Sequence, residues 1–214
     1  MNFKNYKTKN LVIFVIVLSI GFSLLSEKID KILPTDTTFK EIWKYIDLFS
    51  TLSLLFLTLW FIDEIGWKWK VFNWLVDIPN LNGRYVGTLE SSFQTNGTDT
   101  IKDCVIEIRQ SASILRIKSY YGDPGTNNQT SVGHSRSEII EKDDNDHFLI
   151  SHFFAGVPDP LQKELKKHDG ASHMKYYPDK KTLDGEYFND RPNKGNIKVS
   201  FKQRKLLGRL RENP

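Results

Sequence analysis

Residues 101–121 read IKDCVIEIRQSASILRIKSYY. In Ile101–Gln110 the side chains alternate, with Cys104, Ile106, Ile108 and Gln110 on one face. After a short polar break, Ile114–Tyr121 resumes the pattern: Leu115, Ile117, Ser119 and Tyr121 oppose Arg116, Lys118 and Tyr120. A period of two belongs to a β-strand with one face buried and one wet, because successive Cβ atoms point to opposite sides of the pleat.

The pattern repeats on both sides of this pair. Leu81–Phe93 precedes it; Ser131–Glu141, His147–Ala155, Ser172–Tyr177, Leu183–Asn189 and Asn196–Arg204 follow. Turn chemistry separates them, in the loop GDPGTNNQT after Tyr121 and at Asp143–Asp146. The polar excursion Pro158–Gly170 contains a predicted helical turn, LQKELKKH. Eight short antiparallel strands fit a closed up-and-down β-barrel, which removes the exposed edges of an open sheet. A sandwich is the alternative. Barrels of this strand number can hold one small ligand.

Alternation assigns the interior. Gly83, Tyr85, Gly87, Leu89 and Ser91 share a side, as do Gly185, Tyr187, Asn189 and Arg191, and Ile197, Val199 and Phe201. The inside is therefore mostly aliphatic, with Tyr85, Ser119, Tyr121, Tyr187, Asn189 and Arg191 toward strand ends. Tyrosine offers a stacking face and arginine a bidentate phosphate contact, so these six are the candidate contacts for a planar, anionic ligand. The competing reading of each tyrosine is core packing with a satisfied hydroxyl. For Arg191 it is a surface ion pair with Asp190 or Glu186.

The first 80 residues differ. Asn10–Ser26 carries no charge, and 12 of the 15 residues Leu11–Leu25 are apolar. Ile46–Ile62 has 12 apolar residues out of 17 and one charge, Asp47. Both are near the short limit for a bilayer span. A signal peptide is the rival for the first, after Lys4, Lys7 and Lys9, but Glu27, Lys28 and Ile29 follow it in place of a small-residue cleavage site. The predicted organisation is a transmembrane hairpin at 1–70 (helices about 10–26 and 46–64), an amphipathic interfacial connector at 71–80 and a barrel at 81–214. All five tryptophans fall between Trp43 and Trp74, which suits an interfacial belt; the competing reading is that some of them are ordinary core residues. The lysine-only N-terminal tail places that end, and with two helices the barrel too, on the cytoplasmic side.

Catalytic signatures are missing. The single Cys104 excludes a disulfide framework and a multi-cysteine zinc site, and alternation makes it a core residue. The five histidines (134, 147, 152, 168, 173) show no H-E-x-x-H spacing, and neither G-x-S-x-G, a P-loop nor G-x-G-x-x-G occurs. The chain reads as a non-enzyme with no metal and no cofactor. Asn96-Gly-Thr and Asn128-Gln-Thr match glycosylation sequons, a cheap match. The net charge of +4 is too small for binding a nucleic-acid polymer. Its basic cluster, Lys198–Arg211, reads either as a solvated strand edge and tail or as a contact with anionic lipid headgroups.

Leu81-Asn82-Gly83-Arg84-Tyr85-Val86-Gly87 resembles the Gly-x-aromatic strand that often opens a lipocalin-like barrel, with Tyr85 where Trp is commoner. Near the end stand Leu183-Asp184-Gly185-Glu186-Tyr187-Phe188-Asn189-Asp190-Arg191 and Gly195-Asn196-Ile197-Lys198-Val199. Two apolar helices before such a barrel resemble the two-transmembrane, β-strand-rich effectors of cyclic-oligonucleotide-based antiphage signalling systems (CBASS). The resemblance implies a bacterial inner-membrane protein whose barrel binds a cyclic dinucleotide made by a cognate cyclic-oligonucleotide synthase. It also implies self-association, disruption of the lipid bilayer and death of the infected cell. The alternative is a membrane-anchored, lipocalin-like carrier of a lipid or other apolar ligand. A third reading is an interaction module whose barrel is filled by its own side chains.

Overall fold

The computed structural model describes residues 3–31, 37–95, 98–126, 128–143, 145–160, 166–191 and 193–211, with the side chains of 29, 30, 37–50 and 95 outside that description. Most of the predicted helical turn in the 158–170 excursion, Asn96 and Gly97 of the first sequon, and Pro192 fall outside the described residues, as do the Trp43 and Tyr45 side chains. The chain forms two compact units, Met1–Asp77 with Ser111–Ser113, and Ile78–Gln110 with Ile114–Pro214.

The first unit holds helices α1 (Thr8–Asp30) and α2 (Thr37–Glu64). Among the described residues one helical segment, Thr8–Lys28, is long and apolar enough to cross a membrane. It leaves Val12, Ile16, Val17 and Ile20 exposed, and Ser19 closes its hydroxyl on the Val15 carbonyl at 2.8 Å. The second apolar run lies within α2, whose Leu52, Phe56, Leu57 and Trp60 are exposed. After α2 come two one-turn 3-10 helices, Gly66–Lys68 and Lys70–Phe72. The stretch 71–80 is not one amphipathic helix: Val76 bridges Tyr6 in antiparallel fashion, and the chain is extended toward Pro79. Leu75 and Val76 are buried while Val71 and Trp74 are exposed, so sidedness survives without helical period. Asp63, itself buried, accepts hydrogen bonds from Tyr6 (3.2 Å), Ser111 (3.0 Å) and Ser113 (2.5 Å). Burial, with the Asp63 charge behind it, pushes the Tyr6 hydroxyl well above its ordinary value.

The second unit is a closed barrel of eight strands paired in sequence order, β1 with β8 completing it. The strands are β1 (Gly83–Thr95), β2 (Thr98–Gln110), β3 (Leu115–Gly122), β4 (Gln129–Lys142), β5 (Phe148–Pro158), β6 (His168–Tyr177), β7 (Thr182–Asn189) and β8 (Lys194–Gln203). Each of the eight runs read from alternation is a strand, and the register is antiparallel throughout. Inside lie Tyr85, Cys104, Ile106, Ile108, Ile117, Ile150, Met174, Leu183, Ile197 and Val199, all nearly inaccessible. Burial raises the Cys104 thiol far above its ordinary value, so the protonated thiol is the resting form. Gly87 sits where β8 crosses closely: a Cβ there would overlap the Lys198 carbonyl oxygen. A side chain at this corner would push β1 off β8.

The segment after β8 runs back over the outside of β1–β4. Leu210 packs on Val105 and Tyr120, an outer core separate from the barrel interior. Its arginines are used in fastening it. Arg211 pairs with Asp103 at 2.5 Å and donates to the Thr126 carbonyl at 2.7 Å, and Arg204 donates to the Asn82 carbonyl at 2.6 Å. Lys198 pairs with Asp184 at 3.6 Å. The 198–211 cluster is therefore in large part a clamp, because its charges meet acceptors on the barrel wall.

One interior group titrates inconveniently. His152 is buried beside Phe154, and its Nδ1 has no partner among the described residues. Burial lowers its pKa to about 4 from 6.5. The unfolded chain thus binds a proton that the folded barrel refuses. The neutral-ring stability is fully present above about pH 6.5 and is lost as pH falls toward 4, by about 3 kcal/mol in all. A His152→Leu variant is expected to lose correspondingly less stability than wild type between pH 7 and 4 in thermal melts. Parallel pH curves for the two proteins would contradict this.

Candidate functional site

The ends of β1, β3, β5 and β7 and the starts of β2, β4, β6 and β8 meet at one end of the barrel. There the aliphatic filling stops and leaves a cavity of about 140 Å³. Its walls are Leu89, Phe93, Tyr121, Phe154 and Tyr187; its polar lining includes Ser91, Thr100, Lys102, Thr130, Ser131, His168, Asn189, Arg191 and Asn193. The opposite end, where Leu81 enters the barrel, is sealed. Gln110 accepts from the Leu81 amide at 2.8 Å and donates to the Pro79 carbonyl at 2.9 Å.

Four of the six predicted contacts meet in the cavity. Tyr187 donates to Ser91 Oγ at 2.7 Å, which fixes its ring along the wall. Burial raises its hydroxyl pKa, and that of Tyr121 much further, so both stay neutral donors. Asn189 places Oδ1 in a buried position with no hydrogen-bond partner among the described residues. An acceptor so placed costs the apo protein free energy that a donor on a ligand restores. Arg191 reaches the rim, where it donates to the Lys166 carbonyl. Neither of the ion pairs proposed for it, with Asp190 or Glu186, forms among the described residues. Two predicted contacts lie elsewhere. Tyr85 sits at the sealed end, donating to the Leu81 carbonyl at 3.1 Å and meeting Phe201 edge to face. Ser119 is buried below the cavity and hydrogen-bonds Tyr121. For both, core packing with a satisfied hydroxyl describes what is seen.

The remaining lining residues were available to the same reasoning. Lys102 and Thr100 extend the inward face of Cys104 by two and four positions. Lys102 pairs with Asp123 at 2.5 Å, and this contact holds the Asp123 carboxyl below its usual range. His168 opens β6, four residues before the apolar alternation becomes visible, and its ring stacks edge to face on Phe154. Among the described residues no group of three His, Cys, Asp or Glu side chains comes together to hold a metal.

The open end of the barrel thus offers a small cavity with aromatic walls and two cationic side chains, Lys102 and Arg191, in its lining. The chain matches the family model Cap15, cyclic dinucleotide receptor domain, over residues 76–201, and it belongs to that family. The match spans all of β1 to β7 and most of β8. No curated protein matches the chain.

Proposed function

We propose that this protein is an antiphage effector of the CBASS type. Its barrel binds a cyclic dinucleotide from a cognate synthase, and the ligand-bound proteins associate and disrupt the inner membrane. The observation that carries the reading is the cavity, within a chain of the receptor family. A volume of about 140 Å³ suits one planar ring, since an engineered cavity of about 150 Å³ takes benzene. One base enters between Tyr121, Phe154 and Tyr187, Asn189 Oδ1 accepts from a ring or exocyclic N–H, and the phosphates stay at the rim with Arg191 and Lys102. The same volume disfavours the lipid carrier, because an acyl chain needs a longer tunnel.

Association follows only if the ligand binds the assembled form more tightly than the single protein. Calorimetry of the full chain in nanodiscs against a panel of cyclic dinucleotides tests the binding step. Heat with at least one of them is expected, and no heat with any would defeat the proposal.

The membrane half of the proposal makes α1 and α2 a two-span hairpin, with both ends cytoplasmic. Support comes from the exposed apolar faces of both helices and from exposed Trp60, Trp69 and Trp74 around the end of α2. Unpaired backbone is excluded from lipid, so helices are the form such runs take there. The full chain is expected to stay in the membrane pellet through alkaline carbonate extraction. A single cysteine introduced at Lys31, with Cys104 replaced by Ser, is expected to react with an impermeant reagent from the periplasmic side only. Labelling from the cytoplasmic side would reverse the topology.

A further inference from the structure

A second set of cations lies on the outside of the barrel and is unused. Arg109 on β2 stands directly opposite Arg116 on β3, and Lys118 on β3 directly opposite His134 on β4. All four are exposed. Cross-strand partners sit about 5 Å apart at Cβ, and like charges so placed destabilise a sheet. None of Arg109, Arg116 or Lys118 has a carboxylate partner among the described residues. The nearest acid in register, Glu107, is committed: it pairs with buried Arg84 at 2.7 Å and accepts the Leu207 amide at 2.7 Å. Ser135 is committed too, accepting from the Ile117 amide and donating to Glu138. These side chains border a groove of about 570 Å³ whose far bank is Leu206–Gly208 of the fastened tail.

We propose that this groove is an anion site for a phosphate-bearing ligand, distinct from the barrel mouth. Two guanidinium forks face each other across β2 and β3, and guanidinium geometry matches phosphate oxygens bidentately. The Lys118 ammonium adds a third charge one step along the same strand face. A bound phosphate relieves the repulsion between Arg109 and Arg116 and supplies the acceptors that the barrel wall does not. The phosphate can belong to a lipid headgroup or to a free phosphorylated solute; the chemistry is the same, and the test separates the sources.

The full chain in zwitterionic nanodiscs is treated with phenylglyoxal, and modification of each arginine is followed by mass spectrometry. Inorganic phosphate is expected to slow the reaction of Arg109 and Arg116 several-fold relative to chloride at equal ionic strength, with Arg204 unaffected. In Lys118→Gln, whose fold is checked by circular dichroism, that protection is expected to weaken. Equal protection by chloride, or equal phosphate protection in Lys118→Gln and wild type, overturns the site. Protection in phosphatidylglycerol discs without added phosphate supports a headgroup as the source; protection by phosphate alone supports a soluble ligand. Protection that rises with protein density in the disc and ignores phosphate means a second copy covers the groove, and the proposal fails. Calorimetry of Arg109→Gln/Arg116→Gln with a cyclic dinucleotide is expected to match wild type, so the mouth reading and the groove reading stand or fall separately.

Discussion

Replacing Arg84 by methionine is expected to destabilise the barrel by about 3–5 kcal/mol, the range for removing one partner of a buried ion pair. Arg84 is 1% exposed and Glu107 4%, and their closest approach is 2.7 Å. The Arg84 guanidinium also donates to the carbonyls of Arg209 (2.7 Å) and Leu210 (2.5 Å). Glu107 in turn accepts the amides of Leu207 and Gly208. The pair is thus the knot by which the tail is tied to β1 and β2. Without Arg84, Glu107 is left as a buried charge under Leu210, and two carbonyls lose their donors. The midpoint of thermal unfolding is expected to fall by about 10 °C or more.

All five tryptophans lie between Trp43 and Trp74, outside the barrel unit. Tyrosine circular dichroism, not tryptophan fluorescence, is therefore the readout. A loss below about 1 kcal/mol, the value of an exposed pair, would mean that water reaches the knot. Replacing both partners, Arg84→Met with Glu107→Leu, is expected to recover much of the loss, because no uncompensated charge remains.

This knot also marks what the sequence could not reveal. Arg84 and Glu107 alternate with inward residues, so period alone puts them on the wet face. They are buried by residues about a hundred positions away, and no local pattern reports such a contact. The barrel itself was legible because its inward positions through the middle of each strand are aliphatic. That legibility failed at the open end for a physical reason. There the inward positions carry Thr100, Lys102, Ser131 and His168, polar residues that break the hydrophobic alternation. So β6 begins at His168, not Ser172, and β2 at Thr98, not Ile101. The residues that hide the strand starts are the ones that line the cavity. Tyr85 and Ser119 share the inward face but lie away from the cavity, since alternation gives a side chain's face but not its depth along the barrel.

The same depth argument decides which substitution tests the mouth most severely. Arg191 and Lys102 are its two permanent cations, at the end of β7 and near the start of β2. Hydrogen bonds to charged partners contribute about 1.5–3 kcal/mol each. The double variant Lys102→Met/Arg191→Met is therefore expected to weaken binding of a cyclic dinucleotide by about 100-fold or more, with one tenfold step per 1.4 kcal/mol. Methionine keeps the apolar stems, so the fold is expected to hold. Asn189→Leu acts differently. It removes the unpartnered Oδ1 and is expected to cost about tenfold for a ligand that carries the matching N–H, and little for an analogue that lacks it. Its loss is expected to be indifferent to salt, whereas wild-type affinity falls with ionic strength through the two rim cations. Full affinity in the Lys102→Met/Arg191→Met protein would place the phosphates away from the mouth.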